Sequence, residues 1–481
     1  MKKKKHPNAL PFLFLTEMWE RFGFYVVQGL LILYLTKVFN FSDDKSFTIA
    51  GLFSALAYVS PMVGGWLADK LLGFRMAIVW GGFFLIVGYA ALALPQEQSF
   101  YIALAIIIVG NGLFKPNISS LLGVLYEKNE AARDTGFTIF YIGINLGALL
   151  AGVTSGFVKD HYGWHAGFLL ASLGLIVGLI VFSIGMKVVN MKYPRNHVKK
   201  QPILLSKPLL IIYCFLAIAG ISLMLQSNFL AKWLLPMLGI FLLIFLFVLT
   251  VKQNAEYQKK MLTLVVLIIS AIVFWMIFLQ MFLSTNLFID RLINRNVLGF
   301  TIPTTAFYSL EAVFIILLGP LFALSWQALN QSHKNPSPIF KFVLGILFAG
   351  LGYLVLAIGT YFPNHYSMIN PLWIVASYLL ITIGELFLSP IGLAAVTILS
   401  PPQLTGMMMG IWFMALGFGG QFAGWLAKLS SITPSQSLME MLNTYRHAFL
   451  QYFYLALIIS ILLFVVHIYF KTRIAYVSSI E

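Results

Sequence analysis

Apolar segments long enough to cross a bilayer follow one another almost from end to end of this chain. Roughly 20 apolar residues in a row span a hydrocarbon core of about 30 Å as a helix. No water reaches that core, so backbone N–H and C=O groups must be satisfied internally, in helices or closed barrels. The weaker alternation of a membrane barrel is absent here. An all-α membrane fold follows. Composition agrees: 60% of the 481 residues are hydrophobic and only 10% are charged, whereas about a quarter of a soluble domain is charged.

The hydropathy pattern predicts fourteen transmembrane helices, over residues 10–38, 48–70, 75–94, 99–126, 134–157, 164–187, 207–227, 229–252, 261–287, 305–330, 337–361, 369–399, 403–430 and 442–472. The most polar connection, KVVNMKYPRNHVKKQPILLSK from Lys187 to Lys207, follows six spans. Two spans later comes a second polar loop, KQNAEYQKK at 252–260, and six spans follow it. This layout predicts an N-terminal six-helix bundle over 1–190, an inserted helical hairpin with its loops over 191–260, and a C-terminal six-helix bundle over 261–481. Transporters often pair bundles in this way, with the solute site near the membrane midplane. The inserted hairpin has few polar side chains in its middle and reads as a lipid-facing accessory.

The formal net charge of +15 would suggest nucleic acid in a soluble protein. Here the basic residues gather in short loops, among them Lys2 to Lys5, Lys70, Arg75, Lys128, Lys192, Arg195, Lys259, Lys334 and Lys341. That asymmetry places both termini in the cytoplasm and leaves no soluble domain to bind nucleic acid. The lysine cluster before the first apolar run resembles a signal peptide, but that run holds Glu17, Glu20 and Arg21 and no cleavage pattern follows, so it reads as a retained helix. The single cysteine, Cys214, excludes an internal disulfide. The eight histidines are scattered toward loops, and neither HExxH nor GxSxG occurs, so no enzyme and no metal or other cofactor is expected.

Ionisable side chains inside a membrane are costly, and each one is a candidate functional residue. In the first span Glu17 and Arg21 stand four apart with Glu20 beside them, a spacing that lets them share a helix face and pair. Tyr25 and Gln28 continue that face. Tyr58 places a hydroxyl at membrane depth on the second span. At that span's end, Gly65, Asp69, Gly73 and Arg75 in GGWLADKLLGFR suggest a conformational gate with an Asp69–Arg75 lock. The fourth span reads GNGLFKPNISS, with Lys115 before Pro116 and far from either end. The fifth offers Asn145. Later spans carry Trp275, Gln280, Glu311, Glu385 and Trp412. A buried carboxyl that is charged facing one partner and neutral facing none is a natural proton-coupling element, which applies to Glu311 and Glu385. The competing structural readings are a fixed ion pair for Glu17 and Arg21, a salt bridge between Glu385 and Lys115, a packing hydrogen bond for Glu311, and plain packing for Trp275 and Trp412.

Together the pieces Glu17-Met-Trp-Glu20-Arg21-Phe22 with Tyr25, Gly64-Gly65 to Arg75, Gly110 to Ser119 around Lys115, Phe140-Tyr141 with Asn145 and Gly147, and Gly384-Glu385-Leu386 with Ser389-Pro390 resemble the proton-dependent oligopeptide transporter (POT) family of the major facilitator superfamily. The likeness runs from about residue 12 to 430 and fits the bacterial fourteen-helix type. It implies a cavity that binds di- and tripeptides. Arg21 and Lys115 would attract the peptide carboxylate, and Glu385 with Asn145 would hold the amino group. Tyr25, Tyr58, Trp275 and Trp412 would line side-chain pockets, while Glu17 and Glu20 would take part in proton coupling. The chain departs from the family at Phe24, Gln28 and Leu279, and at Glu311, which stands where an asparagine is usual.

The expected function is a proton-coupled symporter that imports short zwitterionic peptides by alternating access, working as a monomer in the bacterial cytoplasmic membrane. The proton is the only coupling ion expected. The alternative on the same fold is a proton-coupled transporter of a non-peptide amine, an amino acid or a modified amino acid.

Overall fold

The computed structural model describes residues 6–126, 130–188, 207–332 and 334–478. The lysine cluster Lys2 to Lys5, Lys128, and the loop basic residues from Lys192 to Lys200 lie outside them, as does the boundary expected at residue 190.

The described chain is almost wholly helical. In order it forms α1 (Leu10–Lys37), α2 (Asp43–Leu67), α3 (Phe74–Ala91), α4 (Glu97–Leu125), α5 (Glu130–Val188), α6 (Lys207–Gln226) and α7 (Asn228–Val251). There follow α8 (Ala255–Phe278), α9 (Ser284–Leu292), α10 (Ser309–Gln331), α11 (Pro338–Gly359), α12 (Leu372–Leu399), α13 (Thr405–Ala427) and α14 (Leu438–Ser478). A two-stranded hairpin, β1 (Asn296–Val297) with β2 (Phe300–Thr301), is the only sheet among the described residues. Nine helical stretches among those residues are long and apolar enough to cross a membrane. This is an integral membrane protein.

Element boundaries depart from the hydropathy reading where the backbone leaves α geometry. The expected spans 134–157 and 164–187 are two helical segments, together labelled α5, divided as expected at Gly163 with φ 85°. A side chain at that φ would be strained, so glycine marks the turn between the two spans. The expected span 261–287 is broken instead. It passes from α8 through a 3-10 turn, Leu279–Phe282, into α9. At the end of α2 a π turn covers Ala68–Leu72 and closes at Gly73, φ 71°. Lys341, expected in an inner loop, is buried in the first turn of α11, with its ammonium 4.0 Å above the Trp326 ring.

Two compact units emerge. The first comprises residues 1–41, 52–231 and 303–312; the second comprises 42–51, 232–302 and 313–481. Helix α6 lies in the first unit and nearly all of α7 in the second.

In the first unit α1 packs along α5, α3 packs on α4 and α5, and α6 packs on α4. Lipid tails are as apolar as leucine, so membrane helices associate through close packing of small residues more than through hydrophobic burial. The crossing of α2 and α4 shows this. A Cβ on Gly64 would run into the Gly112 carbonyl, and a Cβ on Gly112 would lie 2.9 Å from Ser60. An apolar cavity of about 820 Å³ opens beside this crossing, lined by α2, α4 and α6. In the second unit α11 is central, packed on α8, α12 and α14, while α8 also packs on α12 and α13.

Candidate functional site

The polar residues of the first unit converge on Arg21. Its Nε donates to Glu20 Oε2 at 2.5 Å and its Nη2 donates to Glu20 Oε1 at 2.6 Å, a two-pronged grip that suits a planar guanidinium and a carboxylate. Glu17 lies one turn back, with Oε1 3.7 Å from Arg21 Nε. All three side chains are buried. The expected shared face is therefore real, and neighbouring elements close it. Phe24 takes the guanidinium over its ring at 4.7 Å, and the backbone of Gly147 on α5 admits the helix close to Arg21.

From α4, Asn111 and Lys115 are one helical turn apart and share a face. The Asn111 amide accepts from Arg21 Nη2 at 3.0 Å. Lys115 is half-buried, its ammonium 5.0 Å from the centroid of Tyr58, and it interacts electrostatically with Glu17, Glu20 and Arg21. Tyr58 also meets Phe24 edge-on. Glu17, Glu20, Arg21, Tyr58 and Lys115 thus form one cluster of two carboxyls, two cations and a phenol at membrane depth. Such a cluster can hold an anionic group and can exchange a proton without a metal.

Asn111, within GNGLFKP, is a site residue that sequence reasoning misses. Its signal lay in α2. Pro61 has no N–H, so the carbonyl of Ala57 loses its helical donor. Asn111 Nδ2 donates to that carbonyl at 2.6 Å, and Ser60 Oγ donates to it at 3.3 Å.

Other expected residues of this unit are placed as follows. Tyr25 is half-buried on α1, and its backbone carbonyl accepts from Tyr308 Oη at 3.0 Å. Gln28 is buried and donates to Ser54 Oγ at 3.1 Å. Asn145 is buried on α5, with Nδ2 donating to the Tyr141 carbonyl in its own helix at 3.0 Å. Glu311 is buried in the first turn of α10. Its neighbour Ser309 donates to the Leu149 carbonyl at 3.0 Å. Asp69 and Arg75 are exposed and make no ion pair with each other, so the lock expected there is not formed in this conformation. Gly65 and Gly73 flank the π turn that replaces it.

The second unit holds Trp275, Gln280, Glu385 and Trp412. Glu385 is buried on α12, just after the crossing where Gly384 meets Gly345 of α11. Trp275 is half-buried on α8, edge-on to Phe274 and Phe278, and its buried indole N–H has no hydrogen-bond partner. One expectation is corrected. Gln280 is fully buried and its amide is committed to structure. Nε2 donates to the Ala423 carbonyl at 2.9 Å and to the Met276 carbonyl at 3.1 Å, and Oε1 accepts from Ser284 at 2.7 Å. It splices the broken span to α13 and is not free for solute. Trp412 is buried with its ring against Gly392 and edge-on to Phe342.

A helical membrane protein with a buried carboxylate–guanidinium–ammonium cluster falls in the class of ion-coupled transporters. The profile of the POT family matches residues 75–445. A peptide transporter of Yersinia enterocolitica, YePEPT, is 36% identical over 451 residues, covering 87% of each chain. Dipeptide and tripeptide permease A of Escherichia coli is 32% identical, covering 95% of this chain and 92% of the permease. Among solved structures, a peptide transporter POT in complex with sulfate superposes with a TM-score of 0.82 at 30% identity, over 95% of both chains. A mutant of a peptide transporter POT in complex with alafosfalin gives 0.83 at 30% identity, over 96% of this chain and 95% of the other. This chain belongs to the POT family, and its fold is that of the major facilitator superfamily.

Proposed function

We propose that this chain is a proton-coupled symporter that imports di- and tripeptides across the bacterial cytoplasmic membrane by alternating access. The observation that carries the reading is the grip of Arg21 on Glu20 beside Glu17 and Lys115. Two carboxyls next to two cations can trade a proton for the carboxylate of a zwitterion. When peptide carboxylate engages Arg21 and Lys115, the Glu17 or Glu20 displaced from those cations takes up a proton from the outer solution. Coupling requires that proton and peptide favour the same conformations, since affinity alone shifts no equilibrium. The named activities of YePEPT and of the di- and tripeptide permease support the peptide as cargo.

In this reading Glu385 and Asn145 hold the peptide amino group, and Tyr25, Tyr58 and Trp275 border its side chains. Glu311 and Glu385 are further proton-accepting groups. The π turn between Gly65 and Gly73, with Asp69 and Arg75, flexes during the cycle. Both termini face the cytoplasm, the proton is the sole coupling ion, a single chain is the working unit, and no covalent chemistry is performed.

The test is uptake of labelled dialanine into proteoliposomes under an imposed inward proton gradient. Accumulation that competes with di- and tripeptides, and not with free amino acids or amines, is expected. Absence of dipeptide competition would overturn the proposal.

A further inference from the structure

The bond between Asn111 and Arg21 is half of a longer connection. Pro61 leaves the Ala57 carbonyl of α2 without its helical donor, and at membrane depth no bulk water can stand in. Asn111 reaches across from α4 and supplies that donor at 2.6 Å. With the donor committed, the amide's other end, Oδ1, is fixed where it accepts from Arg21 Nη2 at 3.0 Å. A primary amide is the compact neutral side chain that donates and accepts at its tip. Asn111 is almost fully buried, and so is Arg21. The result is a continuous path from a proline break in α2, through α4, to the guanidinium on α1.

We propose that Asn111 is a positioning residue for proton coupling: it ties the backbone of α2 at Pro61 to Arg21, so that movement of α2 changes how Arg21 holds Glu20 and Glu17. The proposal rests on the symport reading above and goes beyond it by assigning the element that drives the cluster. Charged and titratable groups around Arg21 come from several elements: Glu17, Glu20 and Tyr25 on α1, Tyr58 on α2, Tyr89 on α3 and Lys115 on α4. From α5 the contact is the backbone of Gly147 against Arg21 Cβ, which brings no charge. Asn111 carries no charge and does not titrate, and it accepts directly from Arg21, so its removal changes the orientation of Arg21 without altering net charge.

Two functions of one amide can be separated because the backbone half has its own remedy. Asn111→Leu removes the shorter of the two side-chain bonds to the Ala57 carbonyl, leaving Ser60 Oγ at 3.3 Å, and removes the acceptor for Arg21. Adding Pro61→Ala restores an N–H to α2, which gives Ala57 back its helical partner and leaves Arg21 still without its acceptor. The measurements are apparent Tm in detergent solution and the pH profile of proton-driven dialanine uptake in proteoliposomes. Asn111→Leu is expected to lower Tm and to move the pH of half-maximal uptake by about one unit, the size of one hydrogen bond to a charged group. The double variant should recover Tm and keep the shifted profile. Asn111→Gln, which retains both bonding functions on a longer arm, should lie between wild type and Asn111→Leu in its profile.

A double variant with the wild-type profile would overturn the proposal and reduce Asn111 to a patch for the α2 backbone. If Asn111→Leu does not fold alone, the double variant and Asn111→Gln carry the test. If wild-type protein shows no proton-driven dialanine uptake, the symport reading itself has failed, and that outcome is distinct from a wild-type profile in the variants.

Discussion

Arg291 holds Asp43 by two nearly equal bonds, Nη2 to Oδ1 at 2.7 Å and Nη1 to Oδ2 at 2.8 Å. Arg291 Nη1 also donates to Tyr445 Oη at 3.1 Å, and Asp43 Oδ2 accepts from the Ile432 N–H at 3.0 Å. The pair joins the start of α2 to α9 within the second unit, and the side chain of Asp43 is only 5% exposed. The pairing is not legible in the sequence, because 248 positions separate the two residues.

Truncating one partner of a desolvated charge pair strands the other, and such losses reach about 2 kcal/mol or more. Asp43→Ala and Arg291→Ala should each lower apparent Tm, and the double variant should lose less than the sum of the two. A thermodynamic cycle of apparent Tm values in detergent solution measures this. Strictly additive losses would show that the two bonds contribute nothing jointly.

Gly64 and Gly65 are adjacent but should respond in opposite ways to alanine. A methyl on Gly64 meets the Gly112 backbone, which cannot yield without parting α2 from α4. A methyl on Gly65 meets Pro116 Cβ at 3.5 Å, an ordinary contact. Gly64→Ala should cost about 1–3 kcal/mol as an overpacked site. Gly65→Ala should be neutral or slightly stabilising, since alanine favours helix by about 1 kcal/mol. Folded yield and thermal unfolding of the two variants decide it.

Arg21→Lys keeps the charge and loses the fork. A lysine cannot reproduce paired bonds to both Glu20 oxygens while also reaching Asn111. Proton-driven uptake should fall by about tenfold or more, with assembly intact by size-exclusion profile. Uptake within twofold of wild type would mean that positive charge alone suffices at this position.

Glu311→Gln and Glu311→Asn test the departure from the family pattern at the start of α10. If the Glu311 carboxyl accepts a proton or an amine during the cycle, both variants change the pH profile of uptake. The effect of Asn, the residue usual in the family, should then be the milder if the group contacts substrate. Unchanged profiles in both would remove Glu311 from the mechanism.

Much of this architecture could be read from hydropathy because membrane helices must bond their own backbones. The limits of α1, α6 and α7 fall within a residue or two of expectation. What hydropathy could not register was a change in helix type within an apolar run. The 3-10 turn at Leu279–Phe282, read as LQMF, leaves the residue pattern nearly as apolar as an unbroken helix. For the site, charged residues announced themselves by their cost, so Glu17, Glu20, Arg21 and Lys115 were legible. The bonds of Gln280 were not legible, since a residue list cannot say whether an amide faces solute or a carbonyl of the next helix. Asn111 was legible in principle through Pro61, but only once the two helices were known to cross. Lys341 was misread as a loop residue because a lysine covered by tryptophan looks, in sequence, like one in water.

The apolar cavity beside the Gly64–Gly112 crossing has a practical consequence. Leu56, Ser60, Val63 and Leu67 line it from one stripe of α2, and helical phase puts Tyr58 on the opposite stripe. Cys214 on α6 faces the same hollow and is the chain's only thiol. A fluorophore or nitroxide attached there would report, in otherwise native protein, on the rear surface of the helix that carries Tyr58. Its signal would track repacking of α2 without touching any group that meets cargo or proton.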